Sequence, residues 1–574
     1  MSKRKIILTF MVFVMTAIVY SAGGVPSVEV KGFTAGEESS LPIHIKNRSW
    51  TEVRSSLYDG EGGTRLFIVL PQSTQAGTGV VKTGFTDYTE WKDIAEADGA
   101  ILILPDPGAD LKWDASDLAY LDALYTHCNR YVLEGASRYI AAYGDAGIPV
   151  SLFAVEHTDR IAGAAFIGAD IADIGDPGIT KSNLPLPVRM INTTHKNASR
   201  LTDYFKAANG TDHANNPNAN EVVYYKSGSS AWNPDYSKSH FVQVINNMSN
   251  GFPSFIYNNL FRTVARWKTI SGEGTLRAKV RAGDIAGFEK ITESGNPGRD
   301  AFVYVPSAVR NGTVTGPVPM VMIFHGRRCT GEYFMDQTEW FRTAERNDFI
   351  VYAPNGLVYN WNIDNEESIP DDYAYFSNRI AEFVTSGITV GGKTYKVDAS
   401  RIYVFGFSNG SFFVSELIMK YPGKFAAAAL WAGGSNPSTV KNKVEKALPV
   451  WYGIGSADNY YSEWKEDWEA MLSYFISLAG GNQKNKTTTY YSAFGTANLI
   501  KTDIYTGGTV EIRQSEAPNI IHGIINEYSN YIWNDFFSKY KKQEEKSVLV
   551  STSAIAHRCL LVMSRNFPCR CEKE

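Results

Sequence analysis

The segment Asp87-Tyr88-Thr89-Glu90-Trp91-Lys92-Asp93-Ile94-Ala95-Glu96 returns as Asp336-Gln337-Thr338-Glu339-Trp340-Phe341-Arg342-Thr343-Ala344-Glu345, an offset of 249 positions that still holds at Pro105 and Pro354. Further echoes follow in the same order. Asp117-Leu118-Ala119-Tyr120-Leu121 matches Asp372-Tyr373-Ala374-Tyr375-Phe376, Ile161 to Ala165 matches Phe425 to Ala429, and Leu186-Pro187-Val188 matches Leu448-Pro449-Val450. A period this long is a whole domain rather than a solenoid module, so each copy must bury a core of its own. At 574 residues the chain has room for two such cores.

Within each copy, short apolar runs alternate with amphipathic helical patterns. Val318 to Phe324 and Leu448 to Ile454 are continuously apolar, as central strands of a parallel sheet covered on both faces must be. The expected fold is therefore α/β: two doubly wound domains in tandem with mostly parallel sheets. The joint falls around Trp267 to Gly295, where Gly, Ser, Thr and charged residues thicken. The expected boundaries are 25–265 for the first domain and 275–541 for the second, with 542–574 as an appended tail.

The formal net charge of −4 gives no reason to expect a nucleic-acid partner. Lys3-Arg4-Lys5, the apolar run Ile6 to Tyr20 and the small residues Ser21 to Gly24 form the three parts of a secretory signal. Residues 1–23 are accordingly expected to be a signal peptide and the mature protein to be secreted, with no stable membrane span after signal removal. Three of the five cysteines, Cys559, Cys569 and Cys571, crowd into the tail beside His557. Their C-x-C spacing lacks a partner pair, and no metal or cofactor is assigned.

An internal repeat sorts residues by role: what both copies keep serves folding, and what one copy keeps serves chemistry. Trp91 and Trp340 fall in the first class as core anchors, and Asp117 and Asp372 as helix starts. In the second class is Gly406-Phe407-Ser408-Asn409-Gly410, with an apolar strand before it and a helical pattern after it. That context makes G-x-S-x-G a nucleophile elbow. The first copy has Tyr143-Gly144-Asp145-Ala146 there, so Gly144 or Asp145 stands in place of the serine.

A serine nucleophile needs a base, and the base needs a carboxylate. Asp458 follows the strand ending near Ile454, at the carboxyl end where sites of open α/β sheets collect. His522 is the one histidine between Asp458 and the tail, and it precedes a final helix. Lys196 occupies the position of Asp458 in the first copy, and His240 is a candidate relic of His522. The oxyanion would be met by the backbone N–H groups of Asn409 and of Arg327, in the loop His325-Gly326-Arg327-Arg328. The first copy has Leu70-Pro71-Gln72-Ser73 near this loop and no His-Gly. Trp431, Tyr460, Tyr461 and Trp464 are candidate substrate-lining aromatics.

His325-Gly326, Tyr352-Ala353-Pro354-Asn355, Trp361-Asn362, Asp371-Asp372, Val397 to Val404 and the elbow itself, in this order, give a family resemblance. From about Asp300 to Tyr540 the chain resembles the secreted α/β-hydrolase esterases grouped with polyhydroxybutyrate depolymerases and with the feruloyl and acetylxylan esterases of carbohydrate esterase family one. The first copy is covered by the resemblance only through its scaffold; having lost the serine, the acid and the His-Gly loop together, it is expected to be a degenerate, non-catalytic α/β-hydrolase-like domain. For the second copy the resemblance implies a Ser408/Asp458/His522 triad without metal or cofactor. The expected substrate is a polymer-attached ester, feruloyl or acetyl groups on plant cell-wall polysaccharide. A polyhydroxyalkanoate depolymerase and a non-catalytic binding protein on the same scaffold are the alternatives. Members often carry a cysteine directly after His-Gly; here Arg327 follows and Cys329 comes later. Removing residues 25–265 is expected to weaken stability or polymer binding and to spare chemistry on small esters.

Overall fold

The computed structural model describes residues 26–38, 40–57, 65–75, 84–108, 110–128, 135–230, 233–268, 274–293, 299–363 and 371–542. The expected signal peptide and nearly all of the expected tail, including its cysteines, lie outside the described residues.

The first sheet contains β1 (Ser27–Gly32), β2 (Ser49–Arg54), β3 (Leu66–Leu70), β4 (Ile101–Pro105) and β5 (Arg138–Tyr143). It continues with β6 (Gly163–Ile167), β7 (Val188–Ile191), β8 (His213–Asn218), β9 (Glu221–Tyr225) and β10 (Phe241–Ile245). Their order is β1-β2-β4-β3-β5-β6-β7-β10-β9-β8. A two-stranded ribbon, β11 (Val264–Trp267) with β12 (Thr275–Ala278), separates this sheet from the next. The second sheet starts with β13 (Phe288–Thr292), β14 (Asp300–Tyr304), β15 (Val318–Phe324) and β16 (Ile350–Pro354). After the small hairpin β17 (Ile388–Val390) and β18 (Lys393–Tyr395) come β19 (Val397–Phe407), β20 (Ala427–Trp431), β21 (Val450–Gly455), β22 (Lys486–Ala493), β23 (Thr496–Tyr505) and β24 (Ile512–Ala517). The order of this sheet is β13-β14-β16-β15-β19-β20-β21-β24-β23-β22.

The two orders are the same order. In each sheet the six central strands run parallel and the flanking pairs antiparallel. These are two tandem doubly wound α/β domains. Alternate residues of β3 face opposite ways: Leu66, Ile68 and Leu70 join one apolar cluster, Phe67 and Val69 another. All seven residues of β15 are buried. Both faces of a central strand meet apolar side chains, which is why these runs lack the polar alternation of a one-sided sheet. Trp91 and Trp340 are both fully buried. Among the described residues no helix is long and apolar enough to cross a membrane.

Asp117 and Asp372 both stand at helix starts, as expected, and each is in addition one partner of a buried ion pair. Asp371 caps the helix Asp372–Ser386, accepting from Tyr373 N–H and Ala374 N–H. Asp372 itself is buried and paired with the buried guanidinium of Arg299, which lies 4.2 Å from the Tyr375 ring centroid. Arg48, Asp117 and Tyr120 repeat this arrangement in the first domain, with the ion pair at 2.7 Å and the guanidinium 4.1 Å from the ring. A buried charge pair survives because breaking either partner leaves a desolvated ion, at a cost of about 3–5 kcal/mol.

The halves are joined by more than chain continuity. Arg281 Nη1 meets Asp98 Oδ1 at 2.5 Å, Arg65 reaches Asp98 at 3.3 Å and Glu332 at 3.5 Å, and Lys279 Nζ donates to Ser137 Oγ at 2.6 Å. The rings of Trp267 and Tyr333 pack with centroids 4.8 Å apart.

Candidate active site

The elbow follows from β19 running straight into the helix Asn409–Lys420. Reversing direction in so few residues forces Ser408 to φ 53° and ψ −123°, a conformation costing about 1–3 kcal/mol that persists where the surrounding structure over-determines it. The flanking glycines are obligatory for space. A Cβ on Gly406 would lie 2.4 Å from Gly410 O, and one on Gly410 only 2.1 Å from Phe324 O.

Ser408 Oγ is 2.8 Å from His522 Nε2, and His522 Nδ1 is 2.8 Å from Asp458 Oδ2. The Asp458 side chain is fully buried, and its second oxygen accepts from Tyr460 N–H at 2.9 Å. A carboxylate so held accepts a hydrogen bond from Nδ1–H and so leaves Nε2 as the acceptor facing the serine. The imidazole lies between the rings of Phe407, at 4.9 Å, and Tyr460, at 4.8 Å, and keeps about a fifth of its side chain exposed. Ser408, Asp458 and His522 come from three separate loops at the carboxyl ends of β19, β21 and β24.

Asn409 opens the helix, so its N–H belongs to the group of donors with no intrahelical acceptor. Its side-chain oxygen is turned away, accepting from Trp361 N–H at 2.9 Å. Gly326, just before Arg327, is the close neighbour of Ser408: a Cβ on Gly326 would sit 3.3 Å from Ser408 Cβ and 3.1 Å from the Phe407 ring. His325 holds this loop. It is fully buried, Nδ1–H donates to Gly326 O at 2.7 Å and Nε2 accepts from Gly356 N–H at 3.0 Å. Burial pushes its imidazole down to about 4 despite the favourable Gly326 carbonyl, so it is neutral at pH 7. Trp361 Nε1–H donates to His325 O at 2.7 Å, tying the loop to the segment that also holds Asn409. The sequence shows His325 and Trp361 as motif residues, but their service to one loop depends on contacts across 31 to 48 positions.

The candidate aromatics divide. Trp431 does not line a substrate surface: it is 1% exposed, and its Nε1–H donates to Gly523 O at 2.7 Å, directly beside His522. At the end of a central strand its indole has no route to solvent, so it supports the histidine loop from below. Tyr460 is 44% exposed with its ring edge-on to His522. Tyr461 begins the helix Tyr461–Leu478 and packs towards Trp468, and Trp464 meets Phe412 at 5.3 Å.

The corresponding place in the first domain is filled. Strand register puts Ala142 beside Leu70 as Gly406 stands beside Phe324, so Gly144 is the counterpart of Ser408 and Gln72 that of Gly326. Gly144 keeps the left-handed turn at φ 54°. A Cβ there would strike Gln72 Cγ at 2.6 Å. Asp145, opposite Asn409, accepts from Ser73 N–H at 2.8 Å and Trp113 N–H at 3.3 Å. Ser73 is the counterpart of Arg327, so in this domain a carboxylate occupies a donor of the kind that an oxyanion would need. Lys196 stands as far past Val188 as Asp458 stands past Val450. His240 is not the counterpart of His522: it precedes β10, whereas His522 follows β24, the strand equivalent to β10.

No family model matches the chain. It is 27% identical over 222 residues to a probable acetylxylan esterase A of Aspergillus fumigatus, covering 35% of this chain and 56% of that protein. It is 30% identical over 152 residues to acetylxylan esterase A of Emericella nidulans, covering 25% and 46%. The chain spans about half the length of the curated relatives it matches. Among solved structures it is similar to the acetyl xylan esterase from Aspergillus awamori, with a TM-score of 0.33 and 16% identity over 44% of this chain and 98% of that one. It is also similar to a feruloyl esterase module from Clostridium thermocellum, with a TM-score of 0.30 and 15% identity over 47% and 95%.

Proposed function

We propose that this chain is a serine esterase working through an acyl-enzyme, with Ser408 as nucleophile, His522 as general base and acid, and Asp458 as the group orienting His522. The observation that carries the reading is the unbroken hydrogen-bond chain from Ser408 Oγ to His522 to Asp458, at 2.8 Å and 2.8 Å, on a strained elbow. Ser408 Oγ attacks the ester carbonyl as its proton passes to Nε2. The buried Asp458 carboxylate stabilises the imidazolium so formed. The oxyanion is received by Asn409 N–H at the helix start and by Arg327 N–H, each such donor being worth roughly 3–4 kcal/mol in the transition state. The imidazolium then protonates the leaving alcohol, and water activated by the same base releases the acid.

The substrate class proposed is the acyl ester of plant cell-wall polysaccharide. Acetyl groups on xylan come first, because the relatives carry that name, and feruloyl groups second. The exposed Tyr460 beside His522 offers a face on which a sugar or aryl ring can rest. We further propose that the catalytic domain spans 275–541 and that the domain spanning 25–265 is a non-catalytic copy. The support is that Gly144, Gln72 and Lys196 stand where the reaction needs Ser408, Gly326 and Asp458. Residues 1–23 are proposed as an export signal.

Hydrolysis of p-nitrophenyl acetate by wild type and Ser408→Ala tests the core of this reading. The expected loss is roughly 10⁴-fold or more in kcat/KM. A variant that retained most of the activity would refute the triad. Acetic acid release from acetylated xylan, beside ferulate release from feruloylated arabinoxylan, orders the two substrates.

A further inference from the structure

Arg277 lies on β12, in the ribbon that joins the two halves, and its side chain is 1% exposed against residues of the second half. Its guanidinium stands 4.8 Å from the Trp267 ring centroid. Nη1 faces Asp336 Oδ1 at 3.0 Å and Glu339 Oε1 at 3.3 Å, and Nη2 donates to Asp336 O at 2.5 Å. Nε points at Asn526. With the amide oriented so that both of its atoms are satisfied, the Asn526 oxygen accepts from Arg277 Nε at 3.2 Å and its nitrogen donates to Gln337 O at 3.1 Å. Asn526 is itself 8% exposed and follows His522 by one short loop. That loop is held at Gly523 by Trp431, at Asn526 by this contact, and at Glu527 by Phe494 N–H at 2.8 Å. Two of the anchors come from the second sheet itself, whereas the middle one comes from the joint with the first domain.

We propose that Arg277 is a positioning residue for His522, acting through Asn526, so that the joint between the two domains is part of what aligns the triad. The proposal rests on the esterase reading above. It departs from the expectation that residues 25–265 can be removed without cost to small-ester chemistry, because their removal cuts into β11, the partner strand of β12. The physical reason is distance tolerance. An imidazole that must meet both Ser408 and Asp458 at 2.8 Å has no freedom to drift, and a misplacement of about 1 Å costs on the order of a hundredfold in rate. Arg277 is suited to the task because its planar fork engages Asp336, Glu339 and Asn526 at once, which a lysine cannot do.

The test uses the full chain. Asn526→Leu removes the link at similar volume. Arg277→Lys keeps the positive charge facing Asp336 and loses the Nε donor. Each is expected to lower kcat on p-nitrophenyl acetate about tenfold with KM within about twofold, and the double variant to be no worse than the poorer single one. A readout independent of turnover is the Cε1–H NMR signal of His522, identified by its disappearance in His522→Gln. Its position and titration midpoint are expected to move in both variants. A folded Asn526→Leu protein with wild-type kcat and an unmoved His522 signal overturns the proposal, as do losses that multiply in the double variant. If the wild type cleaved no ester, the esterase reading would fall by itself, and the His522 signal would still decide the link.

Discussion

Replacing His325 by glutamine should flatten the acid side of the stability curve by an amount that the burial of this residue sets. In the unfolded chain a histidine titrates near 6.5, whereas the buried imidazole of His325 is held down to about 4. Between these values the unfolded state binds a proton that the folded state refuses, so stability rises with pH and is lost as pH falls from about 6.5 towards 4. Each pH unit of such a gap is worth about 1.4 kcal/mol, and between pH 7.5 and 4.5 the imbalance amounts to about 2.5 kcal/mol. For a domain of this size that corresponds to roughly 5–10 °C in Tm. The side-chain amide of the His325→Gln variant could still accept from Gly356 N–H but would not titrate, so its Tm should fall less across the same interval by about this margin. Differential scanning calorimetry of the two proteins at pH 7.5, 6, 5 and 4.5 measures the difference directly, and the other acid-sensitive groups, the buried His240 among them, cancel in the comparison. Parallel Tm curves for wild type and variant would refute the claim that His325 is held neutral by burial.

Gly326→Gln transplants the Gln72 arrangement of the first domain onto Ser408, where even a Cβ comes within 3.3 Å of the serine; kcat/KM on p-nitrophenyl acetate should drop about a hundredfold or more with the fold intact by circular dichroism, and undiminished turnover would mean that this side chain leaves the site open. Asp98→Asn leaves Arg65 and Arg281 buried without their shared carboxylate, so urea unfolding should show a loss of about 3–5 kcal/mol. Burial alone would raise the Asp98 carboxyl, but the two arginines hold it down to about 2; the stability linked to its ionisation is present above about pH 4 and fades as pH falls towards 2, and the wild-type advantage over Asp98→Asn should shrink by about 2 kcal/mol over that interval.

Periodicity and repetition made the architecture legible, because the strands of a doubly wound sheet are apolar on both faces and because the chain states its scaffold twice. The G-x-S-x-G context marked the elbow, and chain order with strand position pointed to Asp458 and His522; the structure sets His522 within hydrogen-bonding reach of both Ser408 and Asp458. Trp431 is a case in which local sequence does not suffice: an aromatic residue near a site in sequence is as readily a support beneath it, and only depth in the sheet tells the two apart. Asp372 is another, since its neighbour Asp371 takes the capping role and Arg299 claims Asp372 from far along the chain.

Local pattern and order could be read from residues alone: two α/β copies, the elbow in the second, and a serine, an acid and a histidine in the succession that such sheets require. These are properties of spacing, and spacing is written in one dimension. It took the closed fold to reveal that Gln72 fills the place a serine would take in the first domain, that neutral His325 holds the loop beside Ser408, and that Arg277 reaches from the joint to the loop of His522. Each depends on which side chains meet across the fold and how deeply they are buried, and burial and long-range contact exist only once the chain has closed on itself.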